Sequence, residues 1–180
     1  MRIEHKHVSA LVVDIQERLF PHIYENEALA KRCAMLIKGL KVLDVPMIVT
    51  QQYTKGLGPT IAPIAEALGD FNPVEKIAFS ACSSPDVEMH IVGSAGHQVI
   101  VFGIEAHVCV QQTVLDIQSQ GRSAIVVEDC ISSRNKNDKK IAVHRMREAG
   151  AIITTAEALL FEILEEAGTE KFKQISALVK

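Results

Sequence analysis

Short apolar runs and longer amphipathic segments alternate along this chain. Residues 9–15 are almost continuously apolar and β-branched, which is the pattern of a strand buried on both faces of a sheet. Further strands are predicted over residues 47–52, 75–79, 97–103, 124–128 and 151–155. Apolar positions at helical spacing predict helices over 26–44, 60–68, 84–95, 108–120, 138–149 and from 155 to about 168. This alternation is typical of βαβ units.

Strands that alternate with helices favour a parallel sheet, because each crossover returns the chain to the same end of the sheet. Crossovers of this kind are right-handed in nearly all proteins, so helices cover both faces. The sequence therefore predicts an α/β fold, a three-layer αβα sandwich. Because no internal repeat, low-complexity segment or linker interrupts the pattern, we expect one domain over residues 1–180.

Composition and charge narrow the classes of partner. The chain has 180 residues, of which 48% are hydrophobic and 23% charged, and a net charge of −3. The basic tract at 136–140 is interrupted by Asn137 and Asp138, so it reads as a solvated helix start and no nucleic-acid partner is predicted. The apolar stretch at 10–13 is too short for a signal peptide or a membrane span. We therefore expect a cytoplasmic protein with no membrane partner.

Three reactive side chains fall where parallel strands end. Ligand sites in such sheets form at the carboxyl edge of the strands. Asp14 closes the first predicted strand, Lys76 lies in the third, and Cys109 follows the fourth at the start of a helix. We therefore expect these side chains at one edge of the sheet.

Each of the three has a chemical and a structural interpretation. The amides and dipole of a helix start favour a thiolate at Cys109 and suit an oxyanion, whereas most lone cysteines are buried and inert. Asp14 ends an apolar strand, where it either transfers protons or caps a loop or helix. Lys76 needs an anionic partner such as Asp14 or a thiolate, unless it only extends into solvent at the sheet edge.

Motifs for other chemistries are missing from the sequence. It has no GxGxxG, P-loop, HExxH or GxSxG segment. Its seven histidines show no convincing metal-ligand spacing. His107 is two residues from Cys109, so a Cys–His pair is an alternative, but side chains at that separation on a helix start usually diverge. Asp14 and Lys76 are therefore the preferred partners.

Three ordered segments resemble the isochorismatase-like cysteine hydrolase family. They are VVDIQ at 12–16, EKIAFSAC at 75–82 and GIEAHVCV at 103–110. DCISSR at 129–134 and the segment at 144–164 are most similar to the isochorismatase domain-containing branch. The resemblance implies a six-stranded parallel sandwich, homo-oligomers, and a triad of Asp14, Lys76 and Cys109. In this family the cysteine attacks a carbonyl, typically of an amide, and water hydrolyses the thioester.

The resemblance also has consequences for the surroundings of Cys109. It implies a cis peptide between Ile104 and Glu105, with the amides of Glu105 and Cys109 forming an oxyanion hole. Nicotinamidases of this superfamily carry an Asp-x-His metal segment where this chain has Gln51, Gln52 and Tyr53, so no metal and no cofactor are predicted. By position at strand ends and loops, the expected pocket walls are Phe20, Gln52, Tyr53, Phe79 and His107.

These observations favour one function over two alternatives. The main hypothesis is a metal-independent cysteine hydrolase that acts on a small amide or a related C–N substrate. One alternative is an isochorismatase-like hydrolase of a vinyl ether, which would not need the cysteine. The other is a non-catalytic scaffold or interaction protein that retains the three residues.

Overall fold

The computed structural model of the protein describes residues 2–93 and 97–180. Its strands are Val8–Val13 (β1), Met47–Gln52 (β2), Val74–Lys76 (β3), Gln98–Ile104 (β4), Ser123–Ser132 (β5) and Ile152–Thr154 (β6). Its α-helices are Asn26–Val42 (α1), Thr54–Leu57 (α2), Ala62–Leu68 (α3), Pro85–Gly93 (α4), Gln111–Ser119 (α5), Lys136–Glu148 (α6), Ala156–Leu164 (α7) and Glu170–Leu178 (α8). A π-helical turn at Ala106–Val110 leads into α5, and single 3-10 turns lie at His5–His7, Phe20–His22 and Ala81–Ser83.

The strands form one six-stranded sheet in the order β3-β2-β1-β4-β5-β6. Every neighbouring pair is parallel. Strand order reverses between β1 and β4, and such a reversal opens a crevice at the carboxyl ends of the two strands. The predicted α/β sandwich with a six-stranded parallel sheet is confirmed.

Burial of the two central strands explains their composition. All residues of β1 and β4 are buried, because helices cover both faces of the sheet. On one side α1 packs with α3, α7 and α8, and on the other α5 packs with α6. Continuous apolar sequence is the expected signature of such strands, since neither face meets water. The core therefore holds β1 and β4 rigidly, and with them the residues that follow each strand.

Close contact between these strands depends on a glycine. Gly103 in β4 has a φ of +127°, and a Cβ built on it would lie 2.1 Å from the carbonyl oxygen of Val13. Changing Gly103 to Ala should therefore lower the free energy of unfolding by about 3 kcal/mol or more, measured by urea denaturation. Gly93 is the matched control, because a Cβ there would meet no atom within 4 Å. Equal losses in the two variants would contradict this reading of Gly103.

Several predicted boundaries are wrong for identifiable reasons. The strand predicted at 75–79 ends at Lys76, because residues 77–79 leave the sheet. The helix predicted from 155 to about 168 ends at Leu164, where Glu165 adopts a left-handed backbone, and α8 was not predicted. The helix predicted to start at 108 begins two residues earlier with the π-helical turn. The predicted end of the helix at 84–95 lies outside the described residues.

Candidate active site

The structure brings Asp14, Lys76 and Cys109 together at the carboxyl edge of the sheet. Asp14 follows β1, Lys76 is the last residue of β3, and Cys109 lies in the π-helical turn after β4. All three residues are buried, with exposed fractions of 0%, 5% and 5%. Lys76 Nζ lies 2.6 Å from Asp14 Oδ2, and the Cys109 thiol interacts with both side chains. A nucleophile, a carboxylate and an ammonium group therefore share one desolvated site.

The carboxylate of Asp14 is held at both oxygens. Thr50 Oγ1 donates to Oδ1 at 2.8 Å, and Lys76 Nζ donates to Oδ2. The backbone of Asp14 is left-handed, with a φ of 51°, so the chain turns sharply as it leaves β1. Thr50 was not predicted as a site residue. The pairing register of the strands could have identified it, because Thr50 on β2 pairs with Val13, the residue before Asp14.

The ammonium group of Lys76 has four acceptors. Besides Asp14, they are Gln52 Oε1 at 2.8 Å and the carbonyl oxygens of Phe79 at 3.0 Å and Ala78 at 3.2 Å. An ammonium has three protons, so these acceptors occupy all of them. The turn at 77–79 therefore directs two of its carbonyl groups at the Lys76 ammonium group. Lys76 is fixed beside Asp14 and Cys109 with no donor left for a ligand.

The thiol of Cys109 is protonated in the resting site. Burial, followed by the negative charge of Asp14, raises its pKa to about 12, and the opposing effect of Lys76 is smaller. In the resting site, burial and the charge of Asp14 therefore act against the thiolate that a helix start favours. Desolvation outweighs the helix dipole, because a dipole at a helix end contributes only about 0.3–1 kcal/mol. Cys109 becomes a thiolate only when another group takes its proton.

The loop between β4 and the π-helical turn is tied to a later segment. The Ile104–Glu105 peptide bond is cis. Glu105 is buried, and its Oε2 accepts hydrogen bonds from the backbone N (3.1 Å) and Nε (3.0 Å) of Arg134. The Glu105 carbonyl oxygen accepts from the amides of Val108 and Val110. Arg134, which was not predicted as a site residue, therefore anchors the residue from which the turn carrying Cys109 starts.

A small cavity opens onto the thiol. Its volume is about 130 Å³. Among the predicted pocket residues, Gln52 and Phe79 line it. Its other lining residues are Asp14, Leu19, Leu57, Glu105, Val108 and Cys109. Of the eight lining side chains, Leu19, Leu57, Phe79 and Val108 are apolar, so about half of the lining is hydrophobic.

The other three predicted wall residues lie outside the lining of this cavity. Tyr53 is 50% exposed. His107 Nδ1 is 2.9 Å from Ser133 Oγ, and Phe20 packs against the hydrophobic core. Their contact with a substrate stays a prediction. Leu19 and Leu57 were missed because Leu19 lies in a turn and Leu57 ends the short helix α2, and neither belongs to a sequence motif.

His, Cys, Asp and Glu side chains, which can bind metal ions, are spread over residues 2–93 and 97–180. No group of three His, Cys, Asp or Glu side chains within these ranges is arranged to hold one. Gln51 is engaged instead with Thr54 and Thr60. In the same ranges no helix is long and apolar enough to cross a membrane. The absence of a metal, the cytoplasmic location and the homo-oligomeric state stay predictions.

Comparison with known proteins agrees with this architecture. Residues 9–158 match the family described as Isochorismatase domain. Isochorismatase family protein 1B from Dictyostelium discoideum is 34% identical, over 96% of this chain and 86% of the relative. Isochorismatase domain-containing protein 2A from Mus musculus is 36% identical, over 93% of this chain and 80% of the relative.

A solved structure is similar over nearly the whole length. It is the structure of MAR1 ribonuclease from Caenorhabditis elegans, with a TM-score of 0.93 and 36% sequence identity. The match covers 99% of this chain and 92% of the solved one. Sequence and structure therefore agree that this chain belongs to the isochorismatase family.

Proposed function

We propose that this protein is a metal-independent cysteine hydrolase of a small amide or a related C–N substrate. The observation that carries the proposal is the buried Cys109 thiol beside the Asp14–Lys76 ion pair, facing a cavity. A thiol is a useful nucleophile only as a thiolate, and an adjacent carboxylate can accept its proton. The site therefore contains both groups that acyl transfer to sulfur requires.

The reaction begins when a carbonyl group of the substrate enters the cavity. Asp14 takes the thiol proton as Cys109 Sγ forms a bond to the carbonyl carbon, and the π electrons move to oxygen. The amides of Glu105 and Cys109 would stabilise this oxyanion. When the C–N bond breaks, the leaving nitrogen takes the proton from Asp14 and a thioester remains. Water, which Asp14 deprotonates, then releases the acid, and the proton returns to sulfur.

Lys76 holds the charge balance through these steps. Its ammonium group compensates the carboxylate before proton transfer, and it compensates the thiolate while Asp14 carries the proton. Because its protons are occupied by protein acceptors, Lys76 orients Asp14 and does not bind the substrate. Its role is electrostatic, and no step in this sequence calls for a metal ion.

The alternative functions fit the cavity less well. Ether cleavage gives no role to a thiol placed at the cavity wall. The Caenorhabditis elegans relative is described as a ribonuclease. For this chain, no cationic side chain is among the described residues that line the cavity, which disfavours a polyanionic substrate. An interaction protein would need no buried ion pair beside a thiol.

Trapping the acyl intermediate tests the proposal. The protein is mixed with a panel of small primary amides and quenched in acid, and peptides are analysed by mass spectrometry while released ammonia is measured. We expect ammonia release and an acyl mass increase on the Cys109 peptide, both absent in Cys109→Ser. Cys82→Ser is the matched control, because Cys82 is partly buried and its pKa is also raised to about 12, by burial first and then by Glu88 and Asp116. Equal ammonia release by Cys109→Ser would refute the mechanism.

A further inference from the structure

We infer that the site accepts only a small, uncharged acyl group, and that Leu57 with Leu19 sets the size limit. The inference rests on the proposed function for its chemistry and names the class of substrate. Its evidence is separate, since it comes from the volume, the construction and the charge of the cavity.

The volume of the cavity limits the substrate first. About 130 Å³ is well below the roughly 300–1,000 Å³ of pockets that enclose drug-sized ligands. An apolar cavity of about 150 Å³ holds one benzene molecule. The space beside Cys109 therefore suits an acyl chain of a few carbon atoms and excludes a substituted aromatic ring.

The wall that carries the two leucines is fixed by hydrogen bonds between the turn after β1 and the segment from the end of β2 to the end of α2. Gln16, which is fully buried, donates from Nε2 to the carbonyl oxygens of Gln52 (3.0 Å) and Gly58 (2.7 Å). The amide of Arg18 donates to the carbonyl oxygen of Leu57 at 3.0 Å. These hydrogen bonds thus join residues next to Leu19 with residues next to Leu57. Because these bonds would have to break before the wall could retreat, the cavity does not widen easily for a larger ligand.

Charge limits the substrate next. Asp14 and Glu105 are the charged residues that line the cavity, and both are carboxylates. Their cationic partners, Lys76 and Arg134, are outside the lining, and the Lys76 protons are already engaged. A carboxylate on the substrate would lose its hydration beside charges that are already paired, with no cationic side chain among the described lining residues to compensate it, which is unfavourable. Carboxylate-bearing compounds such as isochorismate are therefore excluded, and neutral short-chain amides fit.

Aldehydes test this inference without requiring turnover. A thiol adds to an aldehyde reversibly: sulfur bonds to the carbonyl carbon, the carbonyl π bond breaks, and the thiol proton ends on oxygen. The probes are acetaldehyde, butanal, phenylacetaldehyde and glyoxylate, which carries a carboxylate. Binding is measured as protection of Cys109 from iodoacetamide, by peptide mass spectrometry, relative to addition of the same aldehyde to glutathione. An inactive hydrolase would still form the adduct, so failure of the proposed function and failure of this inference are distinguishable.

We expect acetaldehyde and butanal to protect Cys109, and phenylacetaldehyde and glyoxylate to bind at least about tenfold more weakly. Leu57→Ala should improve phenylacetaldehyde binding about tenfold and leave acetaldehyde within about threefold. If the alanine variant folds poorly, Leu57→Val is the smaller change to measure, and it should also improve phenylacetaldehyde binding. Leu164→Ala is the matched control, since Leu164 is also partly buried but lies at the end of α7, outside the cavity lining. Equal protection by butanal and phenylacetaldehyde, equal protection by glyoxylate, or the same result in both leucine-to-alanine variants would overturn the inference.

Discussion

Replacing Asp14 by Asn is expected to lower amide turnover by roughly 10²–10⁴-fold while making the Cys109 thiol more acidic. Turnover falls because asparagine cannot accept the thiol proton. The pKa of Cys109 falls because the charge of Asp14 is, after burial, the main cause that raises it, and the lowering effect of Lys76 is left unopposed. Loss of a residue that only supported the fold would lower turnover without making the Cys109 thiol more acidic.

Two measurements check the Asp14→Asn prediction. The rate of Cys109 alkylation by iodoacetamide is followed against pH, and ammonia release from a small amide gives the turnover. In the unmodified protein the alkylation rate should still rise above pH 9, because the pKa of Cys109 is raised to about 12. In Asp14→Asn the rise should come at lower pH. Asp44→Asn, at an exposed ion pair with Lys171, is the control and should change neither. An unchanged or higher pKa of Cys109 in Asp14→Asn would contradict the role given to Asp14.

The sheet and the place of the three side chains could be predicted because their causes are local. The buried strands β1 and β4 are continuously apolar, and a parallel sheet brings the ends of its strands to one edge. Asp14 and Cys109 could therefore be located by where their strands were expected to end, whereas Lys76 was expected inside a strand that in the structure ends three residues earlier than predicted. The pairing of Lys76 with an anion followed from the same reasoning, since a buried ammonium group needs one.

The surroundings of these residues could not be predicted, because they depend on contacts between distant segments. Thr50 meets Asp14 only through the register of β2 on β1. Leu57, at the end of α2, lines the cavity in a segment that Gln16 and Arg18 hold by hydrogen bonds to the carbonyl oxygens of Gly58 and Leu57. A sequence pattern carries no information about such bonds between distant segments.

The ionisation of Cys109 shows a related limit. The helix start after β4 is visible in the sequence and favours a thiolate, whereas the degree of burial and the distance to Asp14 are not visible. In the structure, burial and the negative charge of Asp14 raise the pKa of Cys109 to about 12, against the effect of the helix start. The thiol is therefore protonated before the reaction, and its activation depends on proton transfer to Asp14.

Removing Lys76 should have the largest effect on stability. Lys76→Met leaves the carboxylate of Asp14 fully buried, with Thr50 and the weakly donating Cys109 thiol as neutral partners and no cation. It also leaves Gln52 and two carbonyl groups without their donor. Loss of one partner from a buried ion pair typically costs about 3–5 kcal/mol, because the remaining charge is not compensated. The free energy of unfolding, measured by urea denaturation at neutral pH, should fall by about this amount.

A second ion pair in the chain shows whether the effect on stability comes from burial or from the short distance between the charged atoms. Lys171 Nζ and Asp44 Oδ2 are 2.7 Å apart, almost the 2.6 Å of Lys76 and Asp14, but their side chains are 45% and 77% exposed. Lys171→Met should leave stability unchanged, because water solvates the remaining carboxylate. The double variant Asp14→Asn with Lys76→Met should be more stable than Lys76→Met alone, since it buries no unpaired charge. If the double variant were as unstable as Lys76→Met, the cost would lie in the lost packing and hydrogen bonds of the lysine, and the ion pair would not be what stabilises this site.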